Sequence, residues 1–272
     1  MRLQHGPIDV VLQAWGDAAE VEQAYAQARA RFATILDELV SELPRLREPV
    51  GDTYPLFKGT VARRMAAAVW PHRAAFITPM AAVAGAVAEE LLQALVAGRR
   101  LEKAFVNDGG DIALHLPPGA TLRAGVVNDI LDPAIDATTE VRHEHPVRGI
   151  ATSGWRGRSQ SLGIADAVTV LAASAAQADA AATLIANAVN VDHPTIARRP
   201  AREVKEDSDL RDLAVTVAVG ALPAALASQA LENGLAAART MLRAGLIAGA
   251  YLALQGQVLT LAECSAPRSA SR

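Results

Sequence analysis

The chain has 272 residues, a formal net charge of -3 and one cysteine; 51% of its residues are hydrophobic but only 4% are aromatic. A single cysteine excludes an internal disulfide and a cysteine-built zinc site, which fits a reducing, cytoplasmic location. The slight negative charge gives no electrostatic case for a nucleic-acid partner, which would want a clustered basic surface.

Residues 1–12 read as one strand entering the fold. From 15 to 46, Val21, Tyr25, Ala28, Phe32, Ile35 and Leu39 recur at helical spacing, with Pro44 near the end. Residues 45–57 are broken by prolines and glycine into a loop, and 61–69 predict a short helix before Pro71. Residues 74–78 read as a short strand. A helix with small residues along one stripe follows from Pro79 to about Ala97, where Gly98 ends it. The apolar run over 74–88 is too short to span a bilayer and contains Pro79, and Met1 to His5 lacks a signal peptide's apolar region; no membrane partner is expected.

Three short strands are predicted at 103–106, 112–116 and 122–127, separated by glycine or proline turns. Residues 129–146 read as polar and irregular. Strands at 147–152 and 167–172 flank a glycine- and serine-rich loop. A helix over 175–189, a charged loop over 190–212, a strand over 213–219 and a helix over 225–243 follow. The chain closes with a hairpin over 245–261 that turns at Gln255-Gly256. Strands mix with helices without strict alternation, which indicates an α+β fold of mixed sheets packed with helices, a single domain over 1–264 and a disordered tail over 265–272. The small-residue helices and the apolar C-terminal hairpin suit a homodimer.

Three constellations could carry chemistry. Asn107-Asp108-Gly109-Gly110-Asp111 lies between two strands; its glycines permit positive φ and close ligand approach, and Asp111 could meet a metal or a ribose hydroxyl. A plain hairpin turn explains the same residues. The segment from Thr152 to Gly163 holds Thr152, Ser153, Gly154, Arg156, Gly157, Ser159 and Ser161. Hydroxyls, freed amides and a guanidinium could surround a phosphate, although a surface loop with incidental arginines has the same composition. Asp166 follows that loop as a candidate general base. Asp179 and Thr183 are four residues apart on one helix face and present the hard oxygens that Mg²⁺ accepts. Asp179 as the cap of its own helix is the plainer alternative. His143-Glu144-His145 reads as a solvated loop and His72 as structural.

In order, these pieces resemble a known family. Thr78-Pro79-Met80-Ala81-Ala82-Val83-Ala84-Gly85-Ala86-Val87-Ala88-Glu89, the Asn107–Asp111 turn, Ala151-Thr152-Ser153-Gly154, Ala165-Asp166-Ala167-Val168-Thr169-Val170 and the segment 178–187 are similar to the signatures of UPF0280, a branch of the ApbE-like, T-fold-related superfamily. The resemblance implies a small phosphorylated ligand, FAD or FMN, with Mg²⁺ at Asp179 and Thr183 and an FMN transferase-like activity. Two elements of flavin transferases are missing: a lysine within 83–89, and a histidine ahead of Asp166. An enzyme of another cofactor pathway, such as one handling a pterin-like ring, and a non-catalytic binding protein therefore remain as alternatives.

Overall fold

In chain order the elements are β1 (Arg2–His5), β2 (Ile8–Gly16), α1 (Ala18–Leu46), α2 (Thr60–Val69), α3 (Val83–Val96), β3 (Leu101–Asp108), β4 (Asp111–His115), β5 (Thr121–Val126) and β6 (Ala137–Arg142). They continue with β7 (Gly149–Ser153), β8 (Ala167–Ala172), α4 (Ala175–Ala188), β9 (Ile196–Pro200), α5 (Ala201–Val204), β10 (Ala214–Val219), α6 (Ala224–Arg243), β11 (Gly249–Leu254) and β12 (Gln257–Ala262). This mixture is the α+β class expected from the sequence. The computed structural model describes residues 1–129 and 133–262; Cys264 and the expected tail lie outside the described residues. The chain divides into two compact units: the first is Met1–Leu122, Arg142–Ala151 and Ala172–Ala180, and the second is Arg123–Val141, Thr152–Leu171 and the chain from Ala181 on.

In the first unit, β2 buries Ile8, Val10, Leu12 and Ala14 at every second position and exposes or half-exposes the residues between. β1, β2, β3 and β4 pair antiparallel in that order, and β4 continues to the start of β7 through Ile112↔Ile150 and Ala113↔Gly149. α1 buries Ala24, Ala28, Phe32, Ile35, Leu39 and Leu46, the stripe that its apolar spacing predicts. Asp17 begins the helix by accepting from Ala19 N and Glu20 N. α3 packs against α1, α2, β3 and β4. Enclosure on several sides explains why 79–96 is apolar enough, by length and composition, to pass for a membrane span. Its polar flank is tied down by Arg31 to Glu90 at 2.8 Å and by Arg64 to Glu89 and Glu90 at 3.2 and 3.1 Å.

In the second unit, β8 and β11 are buried along their whole lengths; β11 pairs antiparallel with β8 on one side and with β12 on the other. α6 packs on β11 and β12 with Ala227, Ala230, Leu231, Gly234, Leu235 and Ala238 buried. β9 and β10 form a separate antiparallel pair with an irregularity between Thr216 and Ala218.

Four expectations are corrected. Residues 1–12 are a hairpin, because Gly6 at φ +55 turns the chain and His5 pairs with Ile8. Residues 74–78 are irregular; where a ladder was expected stand Val50 N to Ile77 O at 2.9 Å and two turn bonds, Ala75 N to His72 O and Ala81 N to Thr78 O, with Pro71 and Pro79 breaking the run on either side. The polar stretch 129–146 contains β6, whose buried Ala137, Thr139 and Val141 alternate with exposed Thr138, Glu140 and Arg142. The charged stretch 190–212 contains β9 and the single turn α5, anchored by buried Ile196 and Ala201.

Candidate functional site

Two polar centres emerge, one in each unit. In the first unit, α3 and the start of α4 meet so closely that a Cβ on Gly85 would lie 2.3 Å from Ala175 O. Only glycine permits this approach, because any side chain there would enter the facing backbone. The contact sets two helix starts against each other's carboxylates. Asp179 Oδ2 accepts from Gly85 N at 3.0 Å, in the first turn of α3, where Ala82 at the N-cap offers no side-chain acceptor. Glu89 of α3 accepts from Ala176 N at 2.9 Å, in the first turn of α4. Both are favourable placements of negative charge at a helix N-terminus. Asp179 therefore caps α3 and not its own helix, which has Ser174 Oγ accepting from Gln177 N.

Asp179 is half-buried within densely packed structure, and its carboxyl is pushed up to about 7. Burial is the largest cause and the charge of Asp108 adds to it; the Gly85 and Ala84 N–H groups oppose both. Asp108 is 4% exposed and sits opposite Asp111, 8% exposed, at the end of the β3–β4 hairpin. The Gly109-Gly110 segment between them is a tight turn with φ of +65° and +113°, closed by Gly110 N donating to Asn107 Oδ1 at 2.8 Å. The plain turn reading is thus correct in form, and the turn also carries Asp108 and Asp111 into buried positions.

The second centre surrounds Asp166. Its Oδ2 accepts from Gln255 N at 2.6 Å and its Oδ1 from Trp155 Nε1 at 3.2 Å, with Arg156 Nε 3.4 Å away. Arg156 also pairs with Asp129 at 2.5 Å and lies over the Trp155 ring at 5.1 Å. Its guanidinium is held between two carboxylates, so an incoming phosphate would compete with both. A Cβ on Gly154 would lie 2.3 Å from Asp166 O, so the loop is pressed onto the start of β8. Thr152 Oγ1 bonds Thr169 Oγ1 at 2.8 Å. Ser161 is buried; its hydroxyl donates to Asn187 Oδ1 and accepts from Gly163 N. Ser153 is half-buried, and Gly157 and Ser159 are exposed. Thr183 is half-buried, one helical turn beyond Asp179 on α4.

The sequence did not single out Asp108, Glu89, Asp129 or Gln255. Asp108 was visible as a carboxylate in the turn motif, but its approach to Asp179 depends on the fold. His143 Nδ1 bonds Leu116 O at 2.7 Å, and His72 is buried with its pKa lowered by that burial; neither belongs to a cluster of three or more potential metal ligands among the described residues. An open groove of about 590 Å³ in the first unit is lined by Arg31, Glu38, Ser41, Glu42, Lys58, Gly59, Thr60 and Glu90, and none of the expected site residues lines it.

A family model described as AbpE bacteria matches residues 1–260. A UPF0280 protein of Methanopyrus kandleri is 34% identical over 226 residues, which cover 80% of this chain and 86% of that protein. A UPF0280 protein of Methanothermobacter thermautotrophicus is 36% identical over 157 residues, 54% of this chain and 57% of that protein. Among solved structures, a point mutant of the flavin transferase ApbE from Vibrio cholerae aligns with a TM-score of 0.52 and 12% identity, over 97% of this chain and 96% of that one. At that identity the likeness establishes the fold alone.

Proposed function

The chain belongs to the AbpE bacteria family and to the UPF0280 family, and from that premise we propose that it binds a flavin nucleotide, FAD or FMN, or a related phosphorylated cofactor, with Mg²⁺ as its metal. Asp179 and Thr183 would hold the ion. A carboxylate and a hydroxyl fit Mg²⁺, which keeps several waters and completes its shell with substrate phosphates. Among the described residues no group of three or more His, Cys, Asp or Glu is placed to hold a metal. When bound, the ion would neutralise charge on the phosphates.

The chain's own residues have separate parts in this reading. Gly109, Gly110 and Asp111 bind the nucleotide; Ser153, Ser159 and the backbone at Gly154 donate to phosphate oxygens, and Gly157 N joins them once it leaves Gly154 O, 3.2 Å away. Arg156 adds charge once it leaves Asp129. Asp166 accepts the proton of an attacking hydroxyl. One observation carries the reading: the Asp179 carboxylate is fixed at Gly85 N beside the buried Asp108, so a divalent cation there would offset the charge of both. A different cofactor, such as a pterin-like ring, is favoured by the lack of lysine within 83–89.

The test is incubation with FAD and MgCl₂, with FMN and AMP followed by chromatography and Asp179→Ala as control. Metal-dependent cleavage that disappears in the variant is expected. FAD binding without products would make the protein a carrier, and neither binding nor cleavage would retire the flavin reading.

A further inference from the structure

The last described strand of the second unit has an open edge among the described residues. β12 is six uncharged residues, Gln257-Val258-Leu259-Thr260-Leu261-Ala262. It pairs with β11 from Leu254↔Gln257 to Gly249↔Ala262, and among the described residues no strand lies along its other side. The direction of its free backbone groups follows from the pairing. Asp166 N donates to Ala253 O, so Ala253 turns its polar groups toward β8. In an antiparallel pair the bonding alternates residue by residue, so Ala253's partner Val258 turns its N–H and C=O away from β11, and Thr260 does the same. The side chains of Val258 and Thr260 are exposed as well.

Free edges are normally blunted by charge, proline, a bulge or shortness, because otherwise they recruit another strand. β12 has none of these devices. The outer strand of the first unit has two: β1 is only four residues long and carries Arg2, paired with Asp9 at 2.5 Å.

We propose that the outer edge of β12 pairs antiparallel with the same edge of a second copy of this chain, giving a two-fold dimer. A copy laid antiparallel meets no like charge, and the outward groups of Val258 and Thr260 meet the same pattern in reverse. Pairing consumes both edges, so assembly closes at two. Six residues bury less than a standard interface, so the dimer depends on concentration.

Light scattering after size exclusion, with full-length protein at about 100 μM, should give twice the 28.4 kDa chain mass. The double variant Val258→Lys/Thr260→Lys should halve that mass at unchanged circular dichroism, because both side chains are exposed. Val258→Glu/Thr260→Glu should behave likewise, and a mixture of the two variants should recover the dimer mass. A monomeric wild type, a lysine variant that stays dimeric, or a mixture that stays monomeric would each overturn the proposal.

Discussion

The carboxyl of Asp179 makes a sharp prediction about stability. Folding raises it from 3.8 to about 7. The native state therefore holds this proton more tightly than the unfolded chain does, so its contribution to stability is full below about pH 4 and is lost as pH rises through 7. At about 1.36 kcal/mol per unit, the interval is worth roughly 4 kcal/mol. Asp179→Asn removes the charge and keeps an oxygen for Gly85 N. Its new N–H₂ must find an acceptor, so we expect a net gain of about 2–4 kcal/mol at pH 8, or roughly 5–10 °C in Tm, and coincident stabilities near pH 4. Thermal unfolding of both proteins by circular dichroism from pH 4 to 8 measures this. A difference that does not change with pH, or a variant less stable at pH 8, would refute the reasoning. Excess Mg²⁺ should raise the wild-type Tm at pH 8 and leave Asp179→Asn unmoved; equal shifts would remove Asp179 from the metal site.

Other substitutions test the two centres separately. Gly85→Ala places a methyl 2.3 Å from Ala175 O and should cost about 3 kcal/mol or more in urea unfolding. Glu89→Ala removes the acceptor for Ala176 N and a partner of Arg64, and should cost about 1–2 kcal/mol. A loss much above that range would mean that the Arg64 pairing outweighs the cap. Gly154→Ala should displace Asp166 from Gln255 N, visible as a changed amide resonance at Gln255 with less effect at β2. Arg156→Ala should weaken nucleotide binding at least several-fold if the guanidinium leaves Asp129 for phosphate; unchanged affinity would make Arg156 a structural bridge.

The parts of the fold that the sequence revealed are those whose burial is periodic over a long window. α1 and α6 repeat their buried residues every three or four positions, α3 and α4 are long alanine-rich apolar runs, and the β11–β12 hairpin is marked by Gln255-Gly256, both at positive φ. β6 and β9 escaped notice because half of each faces water and carries arginine or glutamate, so their composition reads as loop. The family motifs could be identified at once, since several occur in order, but what they do locally could not. Asp179 looked like the cap of its own helix. It reaches another helix because Gly85 lets the two backbones touch, a fact of packing and not of spacing. Arg156 looked available for phosphate, and only the fold brings Asp129 alongside it.

The exchange of caps between α3 and α4 also bears on how the chain is made. The acceptor for Gly85 N lies 94 residues further along the sequence. On the ribosome, at roughly 5–20 residues per second, α3 waits on the order of ten seconds before Asp179 is even polymerised. Throughout that interval the most apolar helix of the chain starts without its acceptor and without the α4 backbone that Gly85 is shaped to receive. The first unit cannot finish folding as an N-terminal piece, and a nascent chain stalled before residue 179 would leave Gly85 N without its Asp179 acceptor.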